Sequence, residues 1–232
     1  MNNPSSLYWD ISTFAHAALF LGDPSPWIVL SRLSAYLQTL ELGAICGVVE
    51  EGAYLVDKEK IFLAPGAIVE AGAYIRGPCW IGPNTEIRHG AYIRGNVITG
   101  NNCVIGHDTE VKNSLFLDGA HAAHFAYVGD SILGNRVNLG AGVKCANFRL
   151  DGQNIAVSMD GQRIETGLRK LGALIGDRVQ IGCNTVLNPG TLVGKDALCY
   201  PLLHLSGTIT EASLVKSTNR IQIRKRRCSP SA

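Results

Sequence analysis

The sequence predicts an all-β fold, a parallel β-helix, preceded by a short helical segment. Three observations lead to this prediction: aliphatic side chains recur every six residues over most of the chain, glycine is abundant at 26 of 232 residues, and charged residues make up only 17%. A period of six fits neither an amphipathic helix, which repeats at about 3.6 residues, nor an alternating strand, which repeats at about 2. Short stacked strands with small residues at their corners do repeat in this way.

The repeat extends from Leu63 to Leu205 and contains 21 inward positions. Its phase shortens by one residue at Phe116 and again at Leu133. Glycine follows the inward position in many of the repeats, where a corner needs little space. We assign the inward side chains to the core and give them no other role.

Residues 1–57 lack the repeat and are predicted to form a helical cap over the first coil. Ser25 and Pro26 provide a suitable helix start, as a cap followed by proline in the first turn. Leucines at helical spacing follow, and Gly43 is a suitable stop.

The β-helix is assigned to residues 58–206, with an inserted loop at 146–174 that contains two Asp-Gly turn signals. Residues 207–232 form a basic tail, because no acidic residue follows Glu211 and six Lys or Arg residues do. The tail is predicted to be either a final strand or a solvated arm.

Charge and cysteine usage exclude several classes of protein. The first 215 residues carry 15 basic and 19 acidic residues, so no basic face for nucleic acid is expected. The seven cysteines include no Cys-x-x-Cys pair, which argues against a disulfide framework and a structural zinc site. We find no secretory signal and no apolar run of about 20 residues, and we therefore expect a cytoplasmic protein without a membrane span.

The six-residue repeat resembles that of the hexapeptide acyltransferase superfamily, whose fold is a left-handed, three-sided β-helix. The resemblance implies three hexads, or about 18 residues, in each coil, and therefore about seven coils. It also implies a homotrimer, because this superfamily places its sites between subunits.

With about 18 residues per coil, Arg76, Arg94 and Lys112 share one column. Cations separated by about 4.8 Å repel one another, which favours an anion such as phosphate between them. The other interpretation is a solvated corner with alternating counter-ions.

Histidines offer a second class of function. His89 and His107 are 18 residues apart, and His121 and His124 lie nearby in the sequence. A metal site between subunits, as in gamma-type carbonic anhydrases, would use histidines, but the paired histidines of that family are spaced differently from His121 and His124. We therefore assign no metal ligands.

The segment around His124 closely resembles the acetyltransferase half of bifunctional glucosamine-1-phosphate acetyltransferase/N-acetylglucosamine-1-phosphate uridyltransferase. The likeness rests on AAHFAYVGD at 122–130, VNLGAG at 137–142 and the asparagine at 147. By this resemblance His124 is the catalytic base. The resemblance also implies two sets of ligands, one for a sugar phosphate and one for acetyl-CoA: Arg94, Lys112, Tyr127, Asn138, Asn147 and Lys170 for the first, and Ala141, Cys183 and Tyr200 for the second.

The prediction is therefore acetyl-CoA-dependent N-acetylation of glucosamine 1-phosphate, or of a related amino-sugar phosphate, on the UDP-N-acetylglucosamine pathway. Acyl transfer to an amine needs a base, and imidazole titrates near neutrality. The segment from 166 to 177 is closer to the hexapeptide domains of archaeal-type sugar-phosphate nucleotidyltransferases, so another amino-sugar phosphate is a possible acceptor.

Three departures from the family favour an alternative. No glycine-rich nucleotide-binding domain precedes the repeat, so uridyl transfer is not expected. Phe148 stands where the family usually has a tyrosine, and Cys183 and Tyr200-Pro201 replace smaller residues in the coenzyme groove. The alternative is a non-catalytic nucleotide-sugar-binding or scaffold β-helix with a degenerate donor groove.

Overall fold

Three parallel sheets form the sides of a left-handed β-helix, which confirms the predicted fold class. The computed structural model describes residues 5–22, 25–159 and 161–218. Neighbouring strands of each sheet belong to successive coils and pair in parallel. We name the sheets by what lies on their outer faces: the histidine sheet, the tyrosine sheet and the covered sheet.

The nine strands of the histidine sheet are Val48–Val49, Ile68–Val69, Glu86–Ile87, Val104–His107, His121–His124, Asn138–Leu139, Gln180–Ile181, Leu198–Cys199 and Leu214–Val215. The eight strands of the tyrosine sheet are Tyr54–Val56, Tyr74–Arg76, Tyr92–Ile93, Glu110–Lys112, Tyr127–Gly129, Lys144–Cys145, Val186–Leu187 and His204–Leu205. The eight strands of the covered sheet are Ile61–Leu63, Cys79–Ile81, Val97–Thr99, Ser114–Phe116, Ile132–Leu133, Ala173–Ile175, Thr191–Val193 and Thr208–Ile209.

The core lies inside the prism and consists of the inward positions of the repeat. Ile105 and Val193 have no exposed surface, and Leu205 near the end retains 6%. The two predicted phase changes are also present: Ile105 pairs with Ala122, and Phe116 pairs with Leu133, so each of these coils is one residue shorter.

The β-helix has about nine turns, where the sequence predicted about seven. The additional strands lie before residue 58 and after residue 206, in segments assigned to the cap and the tail. The spacing between inward residues departs from six there, because a 3-10 turn at Lys58–Lys60 separates Leu55 from Leu63, and Ile209 follows Leu205 after four residues. Of the basic residues predicted to form the tail, Lys216 is described, and those that follow it lie outside the described residues.

The N-terminal segment packs against the side of the prism, whereas the sequence placed it over the first coil. It contains a short helix at Ser5–Tyr8, a 3-10 turn at Ala17–Phe20 and the main helix at Ile28–Leu37. The main helix starts three residues after Ser25 without a side-chain cap and ends before Gly43.

Apolar residues on the outer face of the covered sheet explain this position. Five successive strands of that sheet present side chains with no exposed surface: Ile98, Leu115, Ile132, Leu174 and Leu192. The buried leucines of the main helix pack against them in one cluster with Trp9, Phe20 and Trp27. The indole nitrogen of Trp9 donates a hydrogen bond to the carbonyl of Ile175 at 2.9 Å, which ties the segment to the sheet.

His16 is buried in this interface, with 3% of its surface exposed. Its Nδ1 lies 3.1 Å from the Tyr36 hydroxyl, and its ring packs edge-on against Trp80 at 4.9 Å between centroids. Its Nε2 has no hydrogen-bond partner among the described residues. Burial lowers the pKa of His16 from 6.5 to about 4, because a protonated ring would be desolvated there.

The inserted segment, predicted as a loop, contains an antiparallel hairpin between Ala156–Met159 and Gln162–Glu165. Gly161, in the second Asp-Gly signal, lies in the connection with a φ of 73°, a conformation that glycine adopts without strain. Ile155 and Val157 are buried against the outer face of the covered sheet, so the insertion is anchored beside the N-terminal segment.

Candidate functional site

His124 ends a strand of the histidine sheet, at the turn into the tyrosine sheet. We call the stack of turns between these two sheets the His124 corner. The side chain of His124 is exposed, and its backbone pairs in register with His107 on the preceding coil. The rings of His89 and His107 stack with centroids 5.7 Å apart. The histidines predicted to share a column therefore do line one edge of the prism.

The three predicted acetyl-CoA residues lie in later turns of the same corner. The backbone nitrogen of Gly142, next to Ala141, donates to the carbonyl of His124 at 3.1 Å. In the same way Asn184, next to Cys183, donates to Ala141 at 2.8 Å, and Leu202 donates to Cys183 at 2.9 Å. The order down the corner is thus His124, Ala141, Cys183 and then the turn containing Tyr200.

A groove of about 360 Å³ runs along the histidine sheet beside this corner and is lined by Cys183 and Tyr200. Tyr200 is 53% exposed, so its ring is available to a ligand. Asn138, which the resemblance gave to the sugar phosphate, lines this groove instead. The predicted coenzyme residues are therefore brought together, and Asn138 joins them.

The predicted phosphate ligands lie at the opposite edge of the tyrosine sheet, where its strands end. Arg94 follows the strand Tyr92–Ile93, and Lys112 ends the next strand of that sheet. A three-residue strand such as Tyr127–Gly129 spans roughly 10 Å, and it separates this edge from His124. Within one chain the predicted base and the predicted phosphate ligands consequently stand on two edges of one sheet.

Lys112 belongs to a buried polar cluster around Asp130, which we call the Asp130 cluster. Asp130 is a buried residue, with 5% of its surface exposed. Its carboxylate accepts hydrogen bonds from Lys112 Nζ at 2.8 Å and from Asn113 Nδ2 at 2.9 Å. It also accepts a hydrogen bond from the side-chain amide of Asn147. Asp130 thereby fixes the positions of two predicted ligands, Lys112 and Asn147.

Arg94 has a carboxylate partner as well. Its guanidinium lies 2.7 Å from Glu110 in an ion pair at the surface, which raises the pKa of Arg94 further above its ordinary value. Arg76 is exposed and donates a hydrogen bond to the Tyr74 hydroxyl at 3.2 Å. The column of cations inferred from spacing exists, and its lower two members are each balanced by an acid of the same chain.

Tyr127 connects the two edges. It begins its strand close to the His124 corner, and its hydroxyl reaches across to the side-chain amide of Asn147 at the far edge, where both lie beside Gly129. Gly129 leaves room for this arrangement, since a Cβ atom there would lie 2.6 Å from both Tyr127 Oη and Asn147 Nδ2. Burial, followed by the charges of nearby carboxylates, raises the pKa of Tyr127.

Lys170 is exposed, and the backbone after it attaches to the Asp130 cluster. Leu171 donates its backbone N–H to the carbonyl of Asn147 at 3.1 Å, and Gly172 donates to the carbonyl of Asp130 at 2.8 Å. The end of the inserted segment is therefore held beside the cluster, with Lys170 at its surface.

Sequence reasoning missed Asp130 and Glu110. One signal for Asp130 was present, because it follows Lys112 by 18 residues, one nominal coil. An acid one coil from a basic residue predicts an ion pair on the outside of a β-helix. The spacing argument counted only residues of like charge and so passed over it.

Within the described ranges, no three His, Cys, Asp or Glu side chains are close enough to hold a metal ion together. In the same part of the chain, no helix has the length and apolar character required to cross a bilayer.

Several known proteins are similar to this chain. The family described as GMPPB C-terminal domain matches residues 75–161. A bifunctional sugar-1-phosphate nucleotidylyltransferase/acetyltransferase from Sulfurisphaera tokodaii is 37% identical over 176 residues, which are 76% of this chain and 43% of that protein. The bifunctional protein GlmU from Methanococcus maripaludis strain C7 is 35% identical over 202 residues, which are 87% of this chain and 48% of that protein.

A solved structure, the UDP-N-acetylglucosamine acyltransferase from Campylobacter jejuni, is 17% identical, with a TM-score of 0.49 over 70% of this chain and 69% of that one.

The repeat and the β-helix define a hexapeptide-repeat fold, and the relatives that the chain matches include named acetyltransferases. More particularly, the chain is related to the acetyltransferase half of the bifunctional sugar-1-phosphate nucleotidylyltransferase/acetyltransferases. The chain spans less than half the length of the two relatives described, at 43% and 48%.

Proposed function

We propose that this protein transfers the acetyl group of acetyl-CoA to the amino group of an amino-sugar phosphate, with glucosamine 1-phosphate as the first candidate acceptor. The observation that carries the proposal is the order of side chains along the His124 corner. An exposed histidine stands directly above the turns that contain Ala141, Cys183 and Tyr200. A thioester bound along the groove would present its carbonyl carbon toward that histidine.

His124 acts as the general base in this proposal. It accepts the proton that the amino group loses as the nitrogen bonds to the thioester carbonyl carbon. The carbon–sulfur bond then breaks, the acetyl group remains on nitrogen as an amide, and the proton passes to the leaving thiolate. The exposure of the His124 ring permits this access to both substrates.

The far edge of the tyrosine sheet supplies the phosphate-recognition side. Arg94 and Lys112 present cations there, and a phosphate would share them with Glu110 and Asp130. Lys112, which is partly buried, is held by Asp130 in one orientation, and this lowers the conformational entropy lost when an anion binds. Tyr127, lying between the two edges, would contact the sugar ring.

We further propose that the complete site forms between copies of the chain in a homotrimer. The support is the separation of His124 from Arg94 and Lys112 across the sheet, because a neighbouring copy can bring the second edge to the first. Light scattering tests this: a particle of three times 24.8 kDa is expected, and a monomer at micromolar concentration contradicts it.

The experiment that tests the activity is turnover of acetyl-CoA with glucosamine 1-phosphate, followed by release of the free thiol. Glucosamine 6-phosphate and a galactosamine phosphate are run in parallel to define the acceptor. Binding of a sugar phosphate or nucleotide sugar without any thiol release would replace this proposal with the non-catalytic scaffold.

A further inference from the structure

The inserted segment carries an arginine-lined cleft that the proposed acetyl transfer does not use. The cleft has a volume of about 530 Å³ and lies between the start of the insertion, its hairpin and its end. Its polar lining consists of Arg149, Gln153, Asn154, Arg163, Glu165 and Arg169.

The lining has an excess of positive charge. Three arginines and one glutamate line the cleft, and two of the arginines are paired with carboxylates, so one positive charge, that of Arg169, is left without a partner among the described residues. Arg163 is paired with Glu165 at 3.0 Å, and Arg149 is paired with Asp151, which faces the other side of its loop. Arg169 forms no ion pair or hydrogen bond with any described residue. An unbalanced guanidinium beside two others attracts an anion.

Separate parts of the insertion hold these arginines in place. Arg149 lies in a turn closed by a 3.0 Å hydrogen bond from Gly152 N–H to its carbonyl, and Arg163 lies on the hairpin. Arg169 follows Leu168, whose carbonyl accepts a 2.8 Å hydrogen bond from the backbone of Ile155. A Cβ atom at Gly152 would lie 3.5 Å from Arg169 Nη2, so this guanidinium rests against the first turn.

We infer that this cleft is a second binding site, for the phosphoryl groups of a small anionic molecule. The planar fork of arginine matches phosphate oxygens with two parallel hydrogen bonds, and the amides of Gln153 and Asn154 add neutral donors. The unpaired Arg169 guanidinium supplies the positive charge, and the two neighbouring arginines can share their remaining N–H donors with phosphoryl oxygens. The site is independent of acetyl transfer, because it shares no residue with the His124 corner or the Asp130 cluster.

Calorimetric titration at low ionic strength tests the site, with inorganic pyrophosphate as the free anion and UDP as a phosphate ester. The wild-type chain is expected to bind pyrophosphate, and Arg169→Gln is expected to weaken that binding by about tenfold or more, as loss of a charge-assisted bond does. Arg163→Gln, on the exposed hairpin, provides a second variant with the same expected direction.

Arg178→Gln is the matched control, since Arg178 is an exposed arginine paired with Asp196 at 2.7 Å, away from the cleft lining. It should bind pyrophosphate as the wild type does. Arg94→Ala should also retain this binding, which separates the cleft from the proposed sugar-phosphate site. No pyrophosphate binding at 10 mM, unchanged affinity in both cleft variants, or loss only in Arg94→Ala would each overturn the inference. Tighter binding of UDP than of pyrophosphate would identify the ligand as a nucleotide.

Discussion

Lowering the pH should loosen the N-terminal segment from the covered sheet through a single side chain, His16. The ring is buried among Phe14, Tyr36 and Trp80, and its Nε2 has no partner in the part of the chain that the structure describes. Its pKa falls from 6.5 to about 4, so the folded protein holds the ring neutral while an unfolded chain protonates it. The stabilisation is therefore complete above pH 6.5 and is lost as the pH falls toward 4.

The size of the effect follows from these two pKa values. Each pH unit between them removes up to about 1.4 kcal/mol, so the free energy of unfolding should fall by about 2 kcal/mol between pH 7.5 and pH 5. At pH 5 most surface carboxylates are still ionised, which limits their contribution over the same range.

Tryptophan fluorescence during denaturant unfolding measures this change, because the protein has three tryptophans and all of them, Trp9, Trp27 and Trp80, lie in or against the interface. His16→Phe keeps an aromatic ring without a titrating group and should unfold with little difference between pH 7.5 and pH 5. His204→Gln, at an exposed histidine, should keep the wild-type dependence. Equal pH dependence in the wild type and His16→Phe would refute the reasoning.

Three further outcomes are expected at the candidate site. His124→Ala should lower kcat by about 10²–10⁴-fold with little change in KM, whereas His107→Ala on the preceding coil should keep most of the activity; turnover within about threefold of wild type would remove His124 as the base. Arg94→Ala should weaken sugar-phosphate binding by about ten- to a hundredfold, measured by calorimetry, and unchanged affinity would leave its pairing with Glu110 as its only role. Tyr200→Ala should tighten acetyl-CoA binding if the tyrosine ring obstructs the groove. If the ring stacks on the adenine of the coenzyme, the same change should weaken binding by roughly 1–3 kcal/mol. An unchanged affinity would place Tyr200 outside the site.

The fold could be predicted from the sequence because each inward residue of a β-helix repeats the same environment. A side chain such as Ile105 has one neighbour above and one below at fixed spacing, so period alone identifies it. The first and last coils escaped prediction because inserted or missing residues, as between Leu205 and Ile209, break that spacing.

The candidate site could be predicted only in part. Spacing places Arg94 and Lys112 in one column, since Arg94 directly follows and Lys112 ends two strands that pair in register. It does not report the direction of long side chains, so the pairing of Lys112 with Asp130 was missed. Nor does it show that His124 and Lys112 stand at two edges of one sheet, which depends on where each strand turns.

The N-terminal segment changes how the β-helix responds to stress. Coils of a solenoid contact only their neighbours, so a solenoid can open coil by coil from either end. Here one continuous cluster links the segment to outer residues of five consecutive coils, from Ile98 to Leu192. Separating any two of these coils would also break the contacts between the N-terminal segment and the remaining coils. The segment therefore couples the middle coils of the prism, which should unfold as one cooperative unit. The coils beyond the segment can unfold independently from the ends.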